Sequence, residues 1–219
     1  MLWVIAAGIV RGGVHVVNEA TTPLAPVQVV VDTRKAWGDG RHPSTALCLE
    51  WLSAQSLKGQ SVLDMGCGTG VLAIAAAKLG AHRTVGVDID DEVIEAATAN
   101  ARKNDVDLEV LHARGLVPGY ESFDYVVANI LVGQLSRPSM VASLALSAKS
   151  KLCLSGVRPG DQCDTLRRIY DPYFHFDDIK TMAAPRSETW GTWACLHATR
   201  RPTLDRDALL DAFSDAAAS

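Results

Sequence analysis

Two aspartates and three glycines stand where their side chains, or lack of them, can do chemistry. Val62-Leu63-Asp64-Met65-Gly66-Cys67-Gly68-Thr69-Gly70 carries an apolar run into a glycine-rich turn, and the next apolar run, Arg83-Thr84-Val85-Gly86-Val87, closes on Asp88. A strand, a glycine turn and a helix start together expose backbone N–H groups to a ligand. An acid at the end of the following strand can accept both hydroxyls of a ribose. The telling residue is Asp64, just ahead of Gly66. A diphosphate lodged at this turn meets a carboxylate at short range, which costs on the order of several kcal/mol in a partly buried site.

A ligand with an adenosine, no phosphate and a positive charge is stabilised instead. S-adenosylmethionine has these features. Its ribose suits Asp88, its sulfonium and ammonium groups suit Asp64, and Gly66, Gly68 and Gly70 leave room for the methionine portion. The expected cofactor is therefore S-adenosyl-L-methionine, with S-adenosyl-L-homocysteine as its product. A nicotinamide oxidoreductase is opposed by Asp64 and by the absence of the G-x-G-x-x-G spacing. The competing reading of Asp64 is a local cap that bonds turn N–H groups.

The elements that must hold these residues alternate along the chain. "SVLDMG" is a buried-strand run and "GVLAIAAAKLG" a helical one closed by glycine. "RTVGVDID" leads into "DDEVIEAATANARKN", with acids in its first turn, bases in its last and Asn104 as C-cap. "LEVLHA", "FDYVVANIL" and "SKLCLSG" continue the strands, with a helical stretch over 134–146. Alternation of this kind predicts an α/β fold, a parallel sheet with helices on both faces. "FHFDDIKTM" and "TWGTWACLHATR" are joined by "AAPRSE" without a helix, so the sheet is expected to end in an antiparallel hairpin. "TALCLEWLSAQ" reads as a helix opened by Thr45, with Leu47, Cys48, Trp51 and Leu52 on its core face.

Bulk properties exclude other classes. The 219 residues are 48% hydrophobic and 21% charged, which supports one sizeable domain. A net charge of −4 offers no broad attraction for nucleic acid. "MLWVIAAGIV" is too short for the roughly 18 apolar residues of a membrane span and lacks a basic leader. With "VHVV" after Gly12-Gly13 it reads as a hairpin. The five cysteines are dispersed without zinc or redox spacing, so they are expected to be buried reduced thiols of a cytoplasmic protein, with no metal site.

Read in order, "WGDGRHPSTALCLEWL", "VLDMGCGTGVLAIAAAKLGA", "VGVDID", "VVANIL" and "LSGV" resemble the bacterial ribosomal protein methyltransferase family (PrmA), from about Val27 to Arg201. The resemblance implies a Rossmann-like class I methyltransferase fold with seven strands, the last antiparallel. It implies that the donor is held by Thr45, Gly66, Asp88 and Asn129, and that the acceptor is a protein amine, lysine or N-terminal, a ribosomal protein included. A small-molecule amine or a donor-binding module without catalysis are the alternatives. The expected organisation is a short β segment over 1–32, the methyltransferase domain over 33–201 and a C-terminal helix or tail over 202–219. No nucleic acid or membrane partner is expected, and oligomeric state is left open.

Asn129, at the end of the fourth strand, is the expected catalytic residue. Its amide oxygen can accept from the amine and orient the lone pair, or it can merely cap the next helix. Asp39 replaces a family threonine in the loop before Thr45. It either attracts a cationic acceptor and takes its proton, or is a solvated turn acid, the reading slightly favoured. His42 is a weaker candidate base because Pro43 and Ser44 suggest a helix cap. Trp51, Trp190 and Trp193 read as packing residues, with Glu188-Thr189-Trp190 able to rim an acceptor pocket.

Overall fold

The computed structural model describes residues 9–17, 26–115, 121–186, 188–202 and 209–210. Its centre is β4 (Ser61–Met65), buried at every position because parallel strands lie on both sides of it and helices cover both faces. On one side are β5 (Arg83–Asp88) and then β6 (Leu108–His112). On the other are β7 (Phe123–Asn129), β8 (Ala148–Val157) and β11 (Thr192–Arg200). β11 runs antiparallel to β8. The chain thus winds outward from β4 through β5 to β6, then returns to start again beside β4 at β7. That reversal opens a crevice at the carboxyl ends of β4 and β7.

The expected terminal hairpin is present, with one refinement. "FHFDDIKTM" forms two short strands, β9 (Phe174–Phe176) and β10 (Lys180–Ala183), both antiparallel to β11. The sheet path therefore has seven positions although eight strands contribute.

Alternation along β4 assigns the two faces. Leu63 and Met65 join a core with α4 (Val132–Leu135), α5 (Pro138–Ser147) and α6 (Asp161–Tyr170). Val62, and with it Val127 of β7 and Cys153 of β8, faces α1 (Pro43–Ser53) and α2 (Val71–Lys78). The helical stretch expected over 134–146 is broken into α4 and α5, with Pro138 opening the second. α1 begins at Pro43, two residues before Thr45, and is buried everywhere except Glu50 and Ser53. Its surroundings are core on all sides, where a single apolar face was expected.

The N-terminal hairpin is β1 (Ile9–Arg11) and β2 (Val14–Val17). β3 (Val27–Val30), absent from the sequence reading, adds parallel to β2. Val14, Val16, Val29 and Val31 share the core of α1 and α2. Two buried asparagines of α3 (Asp91–Lys103) and its C-cap secure this segment. Asn104 accepts from Val30 N–H at 2.8 Å and donates to its carbonyl at 2.6 Å; Asn100 does the same for Asp32 at 2.8 and 3.2 Å. The expected C-terminal helix lies, apart from 209–210, outside the described residues. Among the described residues no helix is long and apolar enough to cross a membrane.

Candidate active site

The glycine turn is held open by its surroundings. Gly66 N–H and Cys67 N–H donate to the Val87 carbonyl at 2.8 and 3.0 Å, tying the turn to β5. Gly66 and Gly68 have φ of +76° and +54°, a region in which glycine alone is unstrained. A Cβ on Gly66 would lie 2.3 Å from Ile130 Cγ2, and one on Gly68 would lie 2.4 Å from the Trp37 carbonyl oxygen. Both glycines line a cleft of about 920 Å³ with backbone alone, bounded also by Asp88, Asn129, Met140 and Trp190. The Asp88 carboxylate accepts from Gly68 N–H at 3.1 Å, from Ile89 N–H at 2.7 Å and, at 3.4 Å, from Asp90 N–H. Two carboxylate oxygens offer about four acceptor directions, so about one remains for a ligand's hydroxyl.

A second chamber of about 730 Å³ adjoins the first, sharing Gly66, Gly68, Asn129 and Trp190 with it. Thr45 reaches only this chamber. Asn129 lies where the two meet because it has the parity of Val127, which turns its side chain toward α1. There Asn129 Nδ2 donates to Thr45 Oγ1 at 3.2 Å, while Asn129 Oδ1 is buried without a hydrogen-bond partner. A buried acceptor left empty costs free energy that a donor from a ligand recovers.

Asp64 is elsewhere. The same alternation directs it under α2, where it is 1% exposed and accepts from Ala73 N–H at 3.2 Å. It lines neither chamber. Burial pushes its carboxyl up to about 8, with Cys48 and Asp88 adding to the rise. At neutral pH it therefore carries mostly a proton. The expectation of a counter-charge in the cleft is corrected: Asp64 neither repels a phosphate nor attracts a sulfonium by direct contact. Gly70 is likewise outside the chambers, as N-cap of α2, packed against Ala97 and Leu108.

The segment over 33–42 closes the cleft from above. Thr69 latches it: its N–H donates to the Trp37 carbonyl at 2.8 Å and its hydroxyl to the Gly38 carbonyl at 2.7 Å. Asp39 is spent within its own turn, accepting from Arg41 N–H at 2.9 Å and Arg41 Nε at 2.5 Å. This agrees with a turn acid and disfavours a free base. His42 is the N-cap of α1, its Nδ1 lying 2.7 Å from Ser44 Oγ and accepting from Ser44 N–H at 3.4 Å. Burial, and then the Arg158 charge, hold its ring below the ordinary histidine range.

Arg158, unremarked in the sequence, organises the far wall. Its guanidinium lies 4.0 Å over the Trp193 ring and donates to the Trp190 and Thr192 carbonyls at 2.5 and 3.0 Å. His42 packs 4.5 Å from Trp193, 5.3 Å from Trp190 and 5.9 Å from Trp37. Trp190 and Trp193, read as packing residues, line the second chamber with Thr189. The only available signal was the pair Trp190 and Trp193 themselves, with Glu188-Thr189-Trp190 as a possible rim; no aromatic stands near Arg158 in the sequence, and nothing in spacing linked it to them.

A mixed sheet with an antiparallel seventh strand, a glycine turn after its central strand and an acid after the next defines a class I methyltransferase fold. The chain belongs to the ribosomal protein L11 methyltransferase (PrmA) family, whose family model matches residues 14–201. It is 41% identical over 174 residues to the ribosomal protein L11 methyltransferase of Shewanella sp. (strain ANA-3), covering 79% of this chain and 57% of the relative. For the Neisseria meningitidis serogroup C protein of the same description the identity is 41% over 175 residues, 80% of this chain and 56% of that one. The chain thus spans a little over half the length of the curated relatives it matches. Among solved structures, ribosomal protein L11 methylase from Lactobacillus delbrueckii subsp. bulgaricus superposes with a TM-score of 0.71 at 27% identity, covering 86% of this chain and 95% of that one. Magnesium protoporphyrin IX methyltransferase from Synechocystis with bound SAH shares the fold, with a TM-score of 0.57 at 23% identity over 70% and 80% of the two chains.

Proposed function

We propose that the chain transfers a methyl group from S-adenosylmethionine to an amine of a protein, a lysine or an N-terminal α-amine, with a ribosomal protein as the first candidate. The observation that carries this reading is the Asn129 amide, held through Nδ2 by Thr45 at the junction of the two chambers, with Oδ1 unpaired by any protein donor. Support also comes from the family description and from the relatives' names.

The donor fits the residues present. Gly66 and Gly68 line the first chamber with backbone alone, and Asp88 keeps acceptor capacity beside them. Bound there, the donor supplies an electrophilic methyl on a positively charged sulfur. The chain's own task is alignment and exclusion of water. Asn129 Oδ1 accepts from the amine N–H and so fixes the direction of its lone pair. The walls of the second chamber, Leu72, Ile130, Trp190 and Trp193, keep the amine desolvated. Desolvation favours the neutral amine. Deprotonation at pH 7 costs about 4.6 kcal/mol for an ordinary lysine and about 1 kcal/mol for an α-amine. No strong base is needed, consistent with Asp39 and His42 being occupied by their own turns.

Incubation with methyl-labelled donor and bacterial ribosomal proteins tests the reading. Label is expected in one protein band, resistant to mild base as an N-methyl amine is. Label only in small molecules, or none despite donor binding measured by calorimetry, would overturn it.

A further inference from the structure

Three cysteines that no sequence spacing connects meet beneath the site. Cys48 comes from α1, Cys153 from β8 and Cys195 from β11, and all are 0% exposed. Cys153 Sγ lies 3.2 Å from Cys195 Sγ and 3.9 Å from Cys48 Sγ, and the three sulfurs fall within 4.8 Å of one another. We propose that Cys48, Cys153 and Cys195 form a three-coordinate all-sulfur site for a soft d10 cation of the copper(I) class.

Distances decide the geometry. Metal–thiolate bonds of about 2.3 Å place the sulfurs of a planar trigonal site about 4.0 Å apart. The separations present, from 3.2 Å to no more than 4.8 Å, bracket that value. An ion at the centre therefore reaches all three sulfurs with sub-ångström shifts, and no strand need move out of register.

Ligand chemistry decides the metal. Soft thiolates select copper(I), zinc and iron–sulfur clusters. Zinc completes a tetrahedron with a fourth ligand. The nearby Ser155 hydroxyl is committed to the Ser44 and Ala194 carbonyls, at 3.3 and 3.0 Å. No cysteine of the trio lines the methyl-transfer cleft, so the site is separate from the proposed chemistry. Each sulfur that ligates gives its proton to solvent, so uptake strengthens as pH rises. Cys67 and Cys163, the remaining thiols, lie outside the trio.

The reduced chain is titrated anaerobically with copper(I) against the chromophoric chelator bicinchoninate, and in parallel refolded with copper(I) present, since the site is fully buried. One equivalent held against the chelator by either route is expected, with a sulfur-to-copper charge-transfer band in the ultraviolet. X-ray absorption is expected to show a shell of three sulfurs. Cys48→Ala and Cys153→Ala, each checked for folding by thermal melt, lose the equivalent, and Cys163→Ala retains it. No retained copper by either route, a nitrogen or oxygen shell, or retention in both ligand variants overturns the proposal. The absorption measurement on the unmodified chain decides the matter even if a variant does not fold.

Discussion

Asn129 and Thr45 meet at 3.2 Å from β7 and α1, and the contact leaves the amide oxygen of Asn129 as a buried acceptor without a partner. One bond thus fixes the direction in which the other end of the same amide points. If that direction orients the amine, Asn129→Ala removes an interaction that matters most in the transition state. We expect kcat to fall about 100-fold with donor affinity altered far less. Thr45→Val deletes only the tether and is expected to cost about 10-fold. Steady-state rates at saturating substrate, with donor binding by calorimetry, check both; equal losses in kcat and donor affinity would sink the orienting role.

The cover of the cleft depends on Thr69. Its hydroxyl holds the Gly38 carbonyl at 2.7 Å, and its own carbonyl accepts from Asn100 Nδ2 at 3.0 Å. Thr69→Val keeps the shape and deletes one bond of about 1 kcal/mol. Donor KM is expected to rise about 5-fold with kcat nearly unchanged, and protease cleavage within 33–42 to accelerate. An unchanged KM would mean that the segment over 33–42 is held without this latch.

Gly68 offers a sharper test because its obstacle is backbone. A Cβ there would stand 2.4 Å from the Trp37 carbonyl oxygen, which cannot rotate away as a side chain does. Gly68→Ala must either expel the covering loop or distort the turn that bonds Asp88. Stability is expected to fall by about 1–3 kcal/mol in denaturant melts, and donor binding to be lost by calorimetry. Gly59→Ala is the control: its φ is also positive, at +76°, but its Cβ meets nothing, so it should cost stability without touching the donor.

The order of strands and helices was legible because each apolar run was short, bounded by glycine or by charge, and long enough to bury. Asp88, Gly66 and Asn129 were legible because strand ends in such a sheet share one edge. Side-chain direction was not. Asp64 sits one residue out of phase with Leu63 and Met65, and only packing of α2 against the sheet shows that this phase leads under the helix. β3 was not legible as a paired strand because its support is tertiary: it pairs with β2, and Asn104, some seventy residues away, completes the backbone bonding of Val30 as Asn100 does that of Asp32 just beyond the strand. Arg158 and the tryptophans near it are joined by tertiary contacts alone. The cysteine trio likewise has no spacing to betray it.

Asp64 itself makes the last prediction. In the folded chain, burial lifts its carboxyl to about 8 from an ordinary value of 3.8. Between these values the folded chain keeps a proton that the unfolded chain has released. The contribution of Asp64 to stability then declines as pH rises from about 4 toward 8, and levels off above that. The rings of His15, His42 and His197, held below their ordinary value chiefly by burial, act in the opposite sense and only below about pH 6.5. Their contribution is common to the native chain and to Asp64→Asn, so it cancels in the difference. Asp64→Asn cannot ionise, and its amide oxygen can still accept from Ala73 N–H. The variant is expected to gain on the native chain steadily from pH 5 to pH 8, by up to about 1.4 kcal/mol per pH unit. Denaturant melts of both chains across that range measure the gain, and a difference independent of pH would show that Asp64 is already ionised in the folded chain.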